Sequence, residues 1–136
     1  MTQSTMSAHG TFVVTVTPQS TDGTAEETAL GRLAIAKTFT GDILGTSTGE
    51  MLSAMTGTKG SAVYVAIERV RGSIGGREGT FVLHHCGIMD RGTQQLTISV
   101  VPDSGSGALA GLTGEMSLVI ANGVHSYELK YRLPDA

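Results

Sequence analysis

Six polar side chains of this 136-residue sequence have the types and spacing to share one enclosed space: Tyr64, Glu68, His85, His125, Tyr127 and Tyr131. A carboxylate beside an imidazole is an acid–base pair, in which the carboxylate orients the ring and supports its charged form. Tyrosine hydroxyls could donate to a developing oxyanion or enolate. Glu68 and His85 are therefore the candidate catalytic residues, and Tyr64, Phe81, His125, Tyr127 and Tyr131 the candidate ligand-binding ones. The competing reading is structural: Glu68 and His85 satisfy each other as a buried pair, and the tyrosines fill a core with their hydroxyls bonded.

Other chemistry is less well supported by the spacing. His84, His85 and Cys86 are consecutive, so in a strand they point to alternate faces and cannot converge on one ion. His85 and His125 joined by Glu68 would make a two-histidine, one-carboxylate set, but nothing fixes its distances, and no metal and no cofactor are expected. Cys86 reads as a small buried hydrophobe. Arg69, Arg71 and Arg77 cluster near one hairpin and read as a solvated or interface rim. Lys37 lies on an otherwise apolar face with Leu33, Ile35 and Phe39, and reads as snorkelling at a barrel end.

The elements that must position these residues are strands. Thr11–Thr17, Arg32–Phe39, Ile43–Met55, Ser61–Arg71, Arg77–Gly87, Gln94–Val101, Glu115–Ile120 and Val124–Leu133 are predicted as strands from their β-branched and aromatic content. Ile43–Met55 is weakened by Gly45 and Gly49, which suggest bulges or a bend. Asn122-Gly123 and Gly75-Gly76 suit two-residue turns with positive φ at both central residues. The first turn places Ile120 opposite His125, Leu118 opposite Tyr127, Met116 opposite Leu129 and Gly114 opposite Tyr131, all interior. Glu115 then faces Lys130 as an ion pair on the solvent side. The second turn gives one face with Tyr64, Glu68, Phe81 and His85. Across that pair Glu68 and His85 are diagonal neighbours, roughly 7–8 Å apart at the backbone.

Both faces of that second hairpin are largely apolar, so alternation alone does not separate inside from outside. The flat row Val63, Val65, Ile67 and Val82 suits contact between subunits, with Arg69, Arg71 and His84 at its rim. The Tyr64/Glu68/Phe81/His85 face is thus assigned to the interior, and a homo-oligomer, most simply a twofold dimer, is expected. Short joints between the strands make neighbours antiparallel. An up-and-down eight-stranded β-barrel disposes of sheet edges by closure; a β-sandwich is the alternative. Pro18–Ala29 is the one longer connection, and residues 1–9 are expected to be a flexible N-terminus.

Length fits a single domain over residues 1–136. Net charge is −3, which gives no general attraction to nucleic acid or anionic lipid. No apolar run approaches the ~20 residues of a membrane helix. The single cysteine and the absence of a secretory pattern at the N-terminus suit a reducing compartment, so a cytoplasmic location is expected.

Several segments, taken together, carry a resemblance: RLAIAKTFTG (Arg32–Gly41), GEML (Gly49–Leu52), YVAIERV (Tyr64–Val70), GTFVLHH (Gly79–His85), VVPDSGSGALAGLTG (Val100–Gly114) and HSYELKY (His125–Tyr131). In this order they resemble a bacterial family of small proteins of unknown function placed among the allene oxide cyclase–like barrels. The resemblance spans about Gly10 to Leu133. It implies an antiparallel eight-stranded barrel, often oligomeric, with a cavity of unassigned purpose. Related barrels steer reactive intermediates in a hydrophobic cavity, a relation of fold alone. Where the family pattern has a glutamine-like polar residue before the histidine of GTFVLHH, this chain has His84, so His85 is the matching histidine. The family has no established catalytic residues to carry over.

Three functions are open on this reading. The barrel binds a small apolar or aromatic ligand; it is a cofactor-independent isomerase or cyclase using Glu68 and His85; or it is a filled barrel acting through association. The first is the leading expectation.

Overall fold

Turn chemistry sets the frame. In the computed structural model, which describes residues 4–23 and 28–134, Asn122 and Gly123 both hold positive φ, at 52° and 76°. Gly75 and Gly76 do the same, at 56° and 85°, and so do Arg91 and Gly92, at 50° and 92°. These are the conditions of tight hairpins whose twist matches that of the flanking strands.

Eight strands follow in chain order: β1 Met6–Asp22, β2 Ala29–Gly41, β3 Ile43–Met55, β4 Ala62–Ile74, β5 Arg77–Asp90, β6 Thr93–Val100, β7 Thr113–Ala121 and β8 Val124–Arg132. Each pairs antiparallel with the next, and β8 closes on β1, giving a closed eight-stranded barrel. The registers at the two hairpins are those predicted: Ile120↔His125 and Gly114↔Tyr131 in one, Ala66↔His85 and Glu68↔Leu83 in the other.

Differences lie in β1, on the surface and at the barrel mouth, where Ile120, expected inside, is 65% exposed because, among the described residues, β6 does not pair alongside it. β1 begins at Met6, paired to Tyr131, so part of the expected N-terminal tail is strand. It also runs to Asp22 through a register shift at Pro18–Ser20, which shortens the expected connection. Proline has no N–H to give a ladder, and a bulge accommodates it. Glu115 faces Lys130 in register, but among the described residues no ion pair joins them; Glu128 instead meets His9 Nε2 at 3.4 Å.

Burial decides the faces that alternation left open. Glu68, Phe81 and His85 are buried, whereas Val63, Val65 and Ile67 are exposed. One end of the barrel is sealed by Ile43, Ile74, Leu109, Leu112 and Leu133. There the β6–β7 connection tucks a single 3-10 turn, Gly107–Leu109, against β5. Ser104 and Ser106 hydroxyls accept from the N–H groups of Val82 and Thr80, satisfying β5 where β6 has already ended. The opposite end is where the Asn122-Gly123, Arg91-Gly92 and β3–β4 turns lie, and the described residues there leave it open.

Candidate functional site

The centre of the barrel holds four polar side chains in an otherwise apolar interior. Glu68 on β4 is wholly buried. Its Oε1 accepts from Ser47 Oγ at 2.8 Å, and its Oε2 accepts from Lys37 Nζ at 2.8 Å. His85 Nε2 stands 2.5 Å from the same Oε2. Nε2 has no partner besides this carboxylate among the described residues.

The local sequence explains how the four meet. Period-2 alternation puts Ser47, Glu68, Lys37 and His85 on the inner faces of β3, β4, β2 and β5. Lys37 must reach across β3 to Glu68. Along that inner face β3 carries Gly45, Ser47 and Gly49, three small residues that leave the necessary volume. Gly49 is register partner to Glu68, and a Cβ there would stand 2.8 Å from Glu68 Cβ, so no larger residue fits. The glycines that weakened this strand in the sequence therefore make room for the site.

Electrostatics follow from this packing. Burial pushes the Glu68 carboxyl upward, but His85 and the Lys37 ammonium outweigh it and hold it at about 2, against an ordinary 4.5. Glu68 is thus a fixed negative charge at neutral pH, not a proton carrier. The Lys37 ammonium also lies 4.7 Å from the Phe12 ring centroid and 5.9 Å from that of Phe39. A desolvated ammonium over aromatic faces recovers part of its lost hydration. Lys37 is only 8% exposed, so it does not snorkel at a barrel end as its sequence context suggested.

Above this cluster, toward the open end, lies a cavity of about 730 Å³ lined by Leu33, Met51, Met55, Tyr64, Leu96, Leu118 and Ile120, among others. Tyr64 lies flat over Gly87, where a Cβ would come within 2.8 Å of its ring atoms, so Gly87 is the cradle for that ring. Burial, then Cys86 and Glu68, raise the pKa of the Tyr64 hydroxyl, which keeps it a neutral donor.

The remaining candidates fall elsewhere. Phe81 and Tyr131 are packed in the core toward the sealed end. Tyr127 lies there too: its hydroxyl accepts from the Ile43 N–H at 2.8 Å and donates to the Thr40 carbonyl at 3.0 Å, locking the β2–β3 turn. Its pKa is raised, mainly by burial. His125 is half-buried, its ring 5.1 Å from that of Phe12. Cys86 is half-buried on the outer wall between exposed His84 and Ile88, not a core residue. Among the described residues, no group of three or more His, Cys, Asp or Glu side chains is placed to hold a metal ion, and no helix is long and apolar enough to cross a membrane.

Sequence reasoning found Glu68 and His85 but missed Lys37 and Ser47 as their partners. The signal was present in part: a lysine at an inward position of β2 demands a counter-charge. Which carboxylate supplies it depends on geometry two strands away.

Comparison with known proteins agrees with this architecture. No curated protein matches the chain. A solved structure of a protein of unknown function from Shewanella oneidensis MR-1, assigned to the DUF3224 family, is 47% identical, superposes with a TM-score of 0.91, and matches 98% of this chain and 100% of that one. The family model described as protein of unknown function (DUF3224) matches residues 8–131. With nearly its whole length so matched, on a barrel whose interior carries a lysine–glutamate–histidine cluster, the chain belongs to the DUF3224 family.

Proposed function

We propose that the protein binds a small apolar or aromatic ligand in the open half of its barrel. The observation that carries this reading is the cavity of about 730 Å³ beneath the open end. Its size lies within the roughly 300–1,000 Å³ of small-molecule sites, which are mostly apolar with a few placed polar groups. Tyr64 supplies a neutral hydroxyl in the wall; Glu68, Lys37 and His85 lie one residue layer further in and do not line the cavity. Native mass spectrometry of protein purified from its own host should reveal a co-purifying small molecule. Anilinonaphthalene sulfonate should enter saturably and be excluded by Leu118→Trp. Absence of both a co-purified molecule and saturable dye uptake would remove this reading.

A second reading is acid–base catalysis on the same ligand, favoured by the 2.5 Å contact of His85 with Glu68. Glu68 would then orient and charge-balance the ring, and His85 Nδ1, the nitrogen turned from Glu68, would move the proton. In that case His85→Ala abolishes turnover, whereas in a binder it only tunes affinity.

The outer wall supports a twofold dimer. Val63, Val65 and Ile67 are 39%, 47% and 63% exposed on one face of β4. Leu52 and Cys86 flank Val65 there, and Arg32, Arg69 and His84 lie at the border. Contiguous apolar surface of this kind with a polar rim is typical of protein contacts. Val65→Glu should convert the assembly to a 14.0 kDa monomer in light scattering; a wild-type monomer at micromolar concentration would end the dimer reading.

A further inference from the structure

The barrel wall is not uniform. β7 and β8 pair along their whole length, from Thr113↔Arg132 to Ala121↔Val124, and β5 and β6 pair from Leu83↔Val100 to Asp90↔Thr93. Between β6 and β7 the described residues pair only at Ile98↔Met116 and Ser99↔Glu115. Continuing that register toward the open end would set Leu96 against Leu118 and Gln94 against Ile120. Those pairs are not made. The two strands diverge, and each leaves a row of backbone N–H and C=O groups without a ladder partner.

Three features show that this seam is more than a frayed edge. First, both strands are tied on their other sides, so each is a formed strand with one free edge. Second, residues Thr93–Thr97 are exposed at every position, so their free edge faces solvent. Third, the divergence opens into the ligand cavity: Gln94, Leu96, Leu118 and Ile120 all line it. Leu96 and Ile120 are 41% and 65% exposed although alternation points them inward. A slot with backbone hydrogen-bonding groups along its side and apolar side chains at alternate positions behind it matches one ligand chemistry. That chemistry is an extended peptide, whose main chain continues a ladder while every second side chain enters a pocket.

We propose that the β6–β7 seam is a strand-acceptor site for an extended peptide segment with apolar residues at alternate positions. Its backbone pairs with the free edge of β6 at Thr93–Thr97, and its inward side chains pack against Leu96, Leu118 and Ile120. The site deepens the ligand-binding reading, since it uses the same cavity, and it names main-chain amide groups as what the entrance recognises.

The test uses the full chain and a blocked heptapeptide of alternating valine and threonine between terminal lysines. Saturable binding below about 1 mM is expected, with amide exchange slowed at least tenfold at Gln94–Thr97. The same peptide N-methylated at alternate residues should bind at least tenfold more weakly, because it keeps the side chains and loses ladder donors. Leu96→Asp should weaken the unmodified peptide while leaving the chevron of unfolding unchanged, since Leu96 is exposed. Equal binding of the methylated peptide, or protection appearing away from β6, would overturn the strand-acceptor site. If the dye enters the cavity and the peptide does not bind, this inference falls and the small-ligand reading stands. If neither binds, both fall.

Discussion

The two ends of this barrel are built from the same eight strands yet obey different packing rules. At the sealed end the inward residues are large and wholly buried: Phe39, Ile43, Ile74, Phe81, Leu109 and Leu112 are each no more than 1% exposed. Tyr127 there has its hydroxyl bonded to backbone on both counts, as acceptor and donor. At the open end most inward residues are exposed or half-buried, with Leu96 41% and Ile120 65% exposed. The Lys37–Ser47–Glu68–His85 cluster lies at the boundary. Tight packing at one end confers stability, and that lets the other end keep a cavity and an incomplete wall. Low local stability is where binding elements are usually found.

The largest expected effect comes at the boundary. Lys37→Met removes the ammonium from a wholly buried carboxylate and should destabilise the fold by about 3–5 kcal/mol in urea unfolding. Adding Glu68→Gln to that variant should restore a large part of the loss, because no uncompensated charge remains. If the double variant is as unstable as the single one, packing and not charge explains the cluster. Next, Leu109→Ala at the sealed end should cost about 2–5 kcal/mol, whereas Ile120→Ala at the open end should change stability by less than about 0.5 kcal/mol. Similar costs at both positions would erase the distinction between the ends.

Acid should reveal the cluster as well. The folded carboxyl of Glu68 titrates at about 2, below its ordinary 4.5. A depressed pKa contributes stability that is fully present above the ordinary value and lost as pH falls through the folded one. The loss should therefore run from about pH 4.5 to 2, amount to roughly 3 kcal/mol, and vanish in Glu68→Gln. A smaller loss is expected for Tyr127→Phe, which leaves the Ile43 N–H without its acceptor and should cost about 1–3 kcal/mol. Tyr64→Phe, at the cavity wall, should leave stability nearly unchanged and alter only ligand affinity. An equal loss for both tyrosines would contradict their different placement.

Much of the fold was legible residue by residue. Asn122-Gly123 and Gly75-Gly76 each specify a turn, and a turn fixes its register, so the Glu68–His85 diagonal follows from the sequence alone. The outer wall was legible only as one of two largely apolar faces; the flat β-branched row of Val63, Val65 and Ile67 suits the outside, and burial decides it. Lys37 was misplaced for a specific reason. Its own strand shows only that it points inward, and the register of β2 with β3 pairs it with Ser47, not with an acid. Its counter-charge lies one strand further on. The β1 extension was missed because Pro18 and Ser20 read as loop, while the structure absorbs them as a bulge.

The sequence by itself determined the hairpins, their registers and which residues share a face, because these depend on turn geometry and on a period of two, both local in the chain. Only the tertiary structure decided that Lys37 and His85 converge on one oxygen of Glu68 across the small residues of β3. It also decided that β6 and β7 part above Ile98 and Met116. Both outcomes depend on how the closed sheet coils in space, and coiling is settled by the packing of all eight strands together, not by any pair of neighbours.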